Sequence, residues 1–323
     1  MEWGSLYFYY NIDMTDERRW GVVYSHSGSH KSHKRWLLIR KYMELKGVLY
    51  DFIQSEDEDS VERLTAMFCQ NGYRTIVIVG GDRSVNDAIN AIMRNKEHLV
   101  EGFAVGVIPN GISNDFARFW GIEVDSYKQS VDNIIKRVTR KIDVCVCRYE
   151  DDSIPQRRYF VNCINVGLGA RLVKTSNDAL RLIGSRRLSF IPVFIRNVFE
   201  RKSYRMSMQI ETEKLSGEYM SVCIGNCLGY GQTPNAVPYN GTLDVSVITR
   251  PSWWQVLEGF WLLGKGRFLN YKNVHPYRAR TIKIESIGRA LVSLDSKVLV
   301  GKKLAPLQAT VLKEEIDFII RSC

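Results

Sequence analysis

The stretch VIVGGDRSVNDAIN (residues 77–90) joins an apolar run to an amphipathic one through two glycines and an acid. Thr75–Val79 is β-branched throughout, which suits a strand buried on both faces. Beyond it, Val85, Ala88, Ile89, Ile92 and Met93 recur at helical spacing, which predicts a helix starting at Ser84 or Val85. Gly80 and Gly81 let backbone N–H groups approach a phosphate, and Asp82 is placed to bind magnesium. A tight turn without ligand would use the same three residues. Arg83 stands where such a loop ordinarily carries no side chain. Its guanidinium could fill the phosphate space, pair bidentately with phosphate oxygens, or point to solvent.

Outward from this stretch, strand and helix alternate over the first 120 or so residues. Residues 20–25 and 48–53 read as buried strands, and Trp36, Ile39 and Met43 mark a helix face between them. Val61, Leu64, Thr65 and Phe68 mark a second helix, and residues 104–108 another strand, followed by PNGISND. Repeated β-α units imply a doubly wound, Rossmann-like parallel sheet, with ligands at the carboxyl ends of its strands. GGDRS and PNGISND both fall at such ends. After about residue 141 the pattern becomes period-two, as in IDVCVCR, YRMSMQIE and LDVSVI. The expected fold class is therefore α/β followed by a mainly antiparallel β-sandwich or barrel, with the active site in the cleft between them.

The chain has 323 residues, 45% hydrophobic and 25% charged, enough for two domains with real cores. No apolar run reaches the roughly 18 residues of a membrane-spanning helix. The first twenty residues lack the basic n-region and small-residue cleavage site of a signal peptide. Seven cysteines are scattered along the chain. Cys223 and Cys227 have a spacing metal sites use, but no histidine or second cysteine pair lies near them. They read as reduced core thiols of a cytoplasmic protein. The net charge of +10 suits anionic lipid or phosphorylated ligands, and no nucleic-acid motif is present. Lys31–Arg35 and Arg181–Arg187 are the densest basic clusters.

GFWLLGKG (259–266) imitates a Walker A loop but ends in Gly266 where a hydroxyl is needed, and its bulky interior cannot wrap phosphates. GLGARL (167–172) has Leu172 where a dinucleotide fingerprint needs its last glycine. Neither is taken as a nucleotide site.

PNGISNDFARFWGI (109–122) resembles the PxGTxND segment of the diacylglycerol kinase catalytic-domain family, which includes bacterial lipid kinases and sphingosine kinases. GGDRSVNDAIN resembles the GGDGTxNExxN of that family. NCINVGLGARLV (162–173), GYGQTPNAVPYNGTLDVSVI (229–248) and LVSLDSKVL (291–299) resemble three later blocks in the same order. The resemblance implies an ATP- and magnesium-dependent kinase that phosphorylates a hydroxyl of diacylglycerol or a similar lipid. It implies a nucleotide domain over residues 1–141, joined by the tail from about 309 to 323, and a lipid domain over 142–308. Carried over by residue, Gly80, Gly81, Asp82, Arg83, Ser84 and Asn86 form the phosphate and metal loop. Gly111, Asn114 and Asp115 form the facing loop, with Asp115 near metal or acceptor, and Asp295 takes the hydroxyl proton. Asp244 is a residual metal-site acid. The lipid substrate implies peripheral association with an anionic membrane, and a homodimer is left open.

The departures fall on functional positions. Only Ser27-Gly28 remains of the motif after the first strand; Arg83 and Ser84 replace Gly and Thr; Ile112 replaces Thr. Asn235, Tyr239 and Asn240 stand where metal-binding acids are typical, and Ser296-Lys297 follows Asp295 in place of Gly-Glu. These changes keep open a second reading, a catalytically degenerate binding or sensor protein on the same fold. A third, an NAD kinase, shares GGD but not the form of PNGISNDFAR. PSWWQVLEGFWLLGKGRF (251–268) is read as a helix packed on the second domain, with a membrane-interface helix as the alternative.

Overall fold

Four parallel strands, β1 (Trp20–Ser25), β2 (Tyr50–Ser55), β3 (Thr75–Gly80) and β4 (Ala104–Pro109), carry the first domain in the order β4-β3-β1-β2. The computed structural model describes residues 19–25, 30–56, 60–111, 113–151, 154–183, 195–197, 199–265, 267–301 and 304–322. Ser27-Gly28, Ile112, and the side chains of Lys31 and of the Arg181–Arg187 cluster lie outside this description.

Side-chain alternation along β3 explains why both its faces are apolar. Val77 and Val79 pack with Trp36, Ile39 and Met43 of α1 (His30–Leu45), while Ile76 and Ile78 pack with Val61, Leu64 and Phe68 of α2 (Ser60–Gln70). The second face also takes Val85, Ala88, Ile89 and Ile92 of α3 (Asp82–Arg94), and a short α4 (Asp115–Phe119) lies beside them. α5 (Tyr127–Lys136) completes the first face through Val131 and Ile134. α3 starts at Asp82, earlier than its apolar spacing predicts. The Val85 N–H already reaches the Gly81 carbonyl, so the first turn closes ahead of the periodic residues.

The second domain is antiparallel. It comprises β5 (Thr139–Asp151), β6 (Ile154–Phe160), β7 (Cys163–Gly167), α6 (Leu168–Ile183), β8 (Tyr204–Ile210), β9 (Glu213–Gly225) and β10 (Leu243–Thr249). It continues through α7 (Trp253–Gly264), β11 (Val274–Ala279), β12 (Thr281–Ser286), β13 (Val292–Leu294) and β14 (Lys297–Val298) to β15 (Leu307–Ile319). The α/β domain followed by antiparallel β structure is what the change of period at residue 141 predicts.

β5 and β15 belong to both cores. Ile142, Val144 and Val146 enter the first core and Cys145 and Cys147 the second. On β15, Leu307–Thr310 pair with β12, and Phe318 pairs in parallel with Val105 of β4. The two strands run antiparallel to each other over most of their length, with an irregularity between Leu312 and Ile316. Burial pushes the Cys147 thiol up to about 12 and the Cys145 thiol well above its ordinary value, so both are inert core groups. No helix among the described residues is long and apolar enough to cross a membrane.

The helix over Trp253–Gly264 departs from its expected burial. Val256 is buried and Leu262 packs with Met220, Ile248, Tyr271 and Val274, but Trp254 is 83% and Trp261 60% exposed. One helix face covers the strand ends and has no room for the opposite face.

Phe318 is fully buried, edge-to-face with Phe116 at 5.1 Å between ring centres, and so ties the chain's last strand to α4. Phe318→Ala is expected to lower unfolding free energy by about 3–5 kcal/mol, read from urea denaturation.

Candidate functional site

GGD and PNGISND meet backbone to backbone at the carboxyl ends of β3 and β4. The Asn110 N–H donates to the Gly80 carbonyl and the Asp82 N–H to the Ser113 carbonyl, both at 2.9 Å. A Cβ on Gly111 would lie 2.3 Å from Gly81 Cα, and one on Gly81 would lie 2.6 Å from the Ser113 oxygen. The glycines are therefore required by loop–loop contact, whatever else they do. Asn114 closes its own loop, donating to the Gly111 carbonyl at 2.9 Å and accepting from its N–H at 3.2 Å.

Asp82 caps the neighbouring helix. Its carboxylate accepts from Ser113 Oγ at 2.6 Å, the Asp115 N–H at 3.0 Å and the Phe116 N–H at 3.1 Å. α4 has no side-chain cap from its own N-cap residue, Asn114, so Asp82 supplies one from across the cleft floor. A carboxylate offers about four acceptor directions, and Asp82 has about one left, on Oδ1. α3 itself has no side-chain cap at Gly81. Its N-terminus, uncapped by any side chain though the Asp82 N–H is taken by Ser113, lies at the β1/β3 switch point, where the strand order reverses and ligands bind.

Asp295 sits in the β13–β14 turn at φ 41°, a left-handed conformation. Its carboxylate, 1% exposed, takes the N–H groups of Val161 at 2.8 Å, Asn162 at 3.0 Å and Cys163 at 2.8 Å, and Nδ2 of Asn86 at 3.0 Å. Burial raises its pKa to about 6, while the hydrogen bonds of Val161, Asn86 and Cys163 pull the other way. Asn86 is the bridge between domains. It also donates to the Tyr159 carbonyl at 2.8 Å and accepts from Arg158 Nη2 at 2.9 Å. Asn90, one turn on, grips the Tyr159 backbone through both its N–H and its carbonyl, each at 2.9 Å.

Arg83 projects along α3 rather than over Gly80 and Gly81. Its Nε lies 4.0 Å from Oδ2 of Asp87, one turn later. Asp87 is 1% exposed and also receives Arg158 and, at 3.4 Å, Lys297 Nζ. Burial raises the Asp87 pKa, and Lys297, Arg158 and Arg83 draw it back down. The two basic departures, at positions 83 and 297, thus end on one buried acid.

Among the described residues no three acids, histidines or cysteines cluster as a metal site. The Asp244 carboxylate is held by Arg278, with Nε at 2.7 Å and Nη2 at 3.4 Å, and belongs to no such cluster among the described residues. In the loop where metal-binding acids are typical, the Gly241 N–H donates to Asp143 at 2.6 Å and Arg140 stacks 3.5 Å over the Tyr239 ring. A magnesium ion carried by nucleotide phosphates is a different case. It needs only one or two carboxylates, and the remaining acceptor direction of Asp82 meets that need. Asp115 is nearby, with one oxygen held by Arg118 at 2.8 Å.

Sequence reasoning missed Asn90, Asp87 and Arg158 as site residues. No local pattern links Arg158 to Asp87 across 71 positions. Arg35 was visible only as part of a basic cluster; it reaches Asn110 Oδ1 at 3.2 Å and so supports the second loop from α1.

Residues 19–147 match the diacylglycerol kinase catalytic domain, and residues 162–314 match the YegS C-terminal NAD kinase beta sandwich-like domain. A protein described as "Probable lipid kinase YegS-like" from Shewanella frigidimarina is 25% identical, over 82% of each chain. A diacylglycerol kinase of Mycobacterium tuberculosis is 25% identical over 75% of this chain and 77% of its own. The solved structure of a diacylglycerol kinase from Bacillus anthracis superposes with TM-score 0.64 at 16% identity, covering 94% of this chain and 97% of that one.

The Asp295 pKa carries a pH signature. The folded value, about 6, lies above the ordinary 3.8, so the native state holds the proton more tightly. Its contribution is complete below pH 4 and is lost as pH rises through 6. The stability of wild type relative to Asp295→Asn is expected to fall by about 2 kcal/mol between pH 4 and 7, measured by urea unfolding.

Proposed function

This chain belongs to the diacylglycerol kinase catalytic-domain family, and on that premise we propose that it transfers the γ-phosphoryl group of ATP to a hydroxyl of diacylglycerol or a similar lipid. The observation that carries the reading is the open N-terminus of α3 at the switch point, stitched by Asp82 to the second loop. That end presents backbone N–H groups and the positive end of the helix dipole to an anion. Arg83 has a counter-charge one helical turn on, its Nε lying 4.0 Å from Asp87 Oδ2.

In this reading the phosphates lie against Gly80–Ser84, and Asn114 keeps the facing loop in shape. The lipid oxygen forms a bond to the γ-phosphorus as the bond to the bridging oxygen breaks, and ADP leaves. Magnesium, when bound with ATP, neutralises charge on the phosphate oxygens, and the remaining Asp82 direction would contact it. The hydroxyl proton goes to Asp295, whose pKa of about 6 suits a base at neutral pH. Asn86 is the one side-chain donor among the four that hold Asp295.

One observation favours the degenerate reading. All four acceptor directions of Asp295 are filled by protein, and Lys297 stands beside it where the family carries an acid. The two readings separate on ATP. For a kinase, ATP-Mg raises the melting temperature of wild type and not of Asp82→Ala, and the protein phosphorylates at least one of a panel of diacylglycerols, sphingoid bases and ceramides. A protein that makes no more phospholipid than Asp82→Ala is not a kinase. Asp295→Asn is expected to lower kcat by about 10²–10⁴ with ATP stabilisation retained.

A further inference from the structure

The outer face of α7 is unlike the rest of the described surface. Trp253, Trp254, Leu257 and Trp261 are 54, 83, 54 and 60% exposed, and their spacing places them on one side of the helix. The opposite side, through Val256 and Leu262, is buried, with Leu262 against Met220 of β9 and Ile248 of β10. The helix and its flanking segments are rich in cations. Between residues 250 and 272 there are four, Arg250, Lys265, Arg267 and Lys272, all exposed, against a single acid, Glu258. Lys265 Nζ lies 5.5 Å from the Trp261 ring centre, and the Arg201 guanidinium lies 4.2 Å from that of Trp253, so charge sits at the rim of the aromatic surface.

We propose that this face docks on an anionic lipid bilayer, the three tryptophans entering the headgroup region and the rim cations pairing with lipid phosphates. The chemistry favours a bilayer over a protein partner. Indole combines a large apolar body with a polar N–H, which suits the boundary between hydrocarbon and water. An apolar helix face with a basic border is the pattern of an interfacial helix, and the excess of three positive charges is complementary to an anionic leaflet.

The inference deepens the lipid-kinase reading and rests on it for the choice of surface. The fold gives it a route to the site. Leu168, immediately after β7, packs in the cluster beneath α7, while Cys163 at the other end of β7 donates its N–H to Asp295. Four residue steps along a strand separate Cys163 from Gly167, about 13 Å. A lipid headgroup lifted slightly from the bilayer spans that distance.

The test needs no ATP and no turnover, so it remains informative if the kinase reading fails. Wild type is sedimented with vesicles of phosphatidylcholine alone or with phosphatidylglycerol added. Expected is binding to the anionic vesicles that weakens with salt. Trp254→Ala/Trp261→Ala should reduce partitioning by about tenfold or more, with an unchanged melting temperature. Lys265→Gln/Arg267→Gln should reduce it by about fivefold per charge and flatten the salt dependence. Absence of wild-type binding, or equal binding by the tryptophan variant, overturns the proposal. So does a wild-type dimer in light scattering that the tryptophan substitutions dissociate, since the face would then serve a second copy of the chain.

Discussion

Four N–H groups converge on the Asp295 carboxylate, and one of them crosses from the first domain to the second. Three come from consecutive backbone positions, Val161 to Cys163, leading into β7, and the fourth, the crossing one, from Asn86 on α3. In a buried site an unmatched carboxylate costs several kcal/mol, so the turn, the strand lead-in and the helix hold each other in register. Asn90 extends the seam by pairing with the Tyr159 backbone, and Asp143 repeats the device at the other end of the interface by taking the Gly241 and Glu314 N–H groups. Apolar continuity through β5 and β15 supplies the rest, because alternate residues of those strands serve different cores.

Arg83 and Lys297 look like two independent losses when the chain is read residue by residue. In space they are one arrangement. Both cations face Asp87, along with Arg158, and the buried acid balances part of a charge excess that would otherwise lie beside the phosphate loop. Arg83, at the start of α3, is thus paired within its own helix. Its side chain runs toward the next helical turn, where its counter-charge lies.

The first loop also works differently from its simplest reading. Asp82 spends three hydrogen bonds on the second loop and on the start of α4, so the acid in GGD is chiefly a joint between two strand ends. The close approach of Gly81 to Gly111 serves the same joint. The open end of α3 is a by-product of this economy. The acid that might have capped its own helix caps a neighbour instead.

Periodicity in the chain was sufficient for the parallel α/β domain, the change to antiparallel β near residue 141, and the two loops at adjacent strand ends. Those features follow from which side chains avoid water, and that preference is local. The order of motifs was likewise enough for the family. The partners of Arg83, Asp244 and Asp295 were not legible, because each is set by residues more than thirty positions away or by a helix turn whose start the apolar pattern misjudged by two residues. The outward face of α7 was not legible either. Its sequence is apolar but for Gln255 and Glu258, and whether such a helix is enclosed depends on how much sheet lies against it. Here the strand ends cover one side only, so packing, rather than composition, left the tryptophans in water.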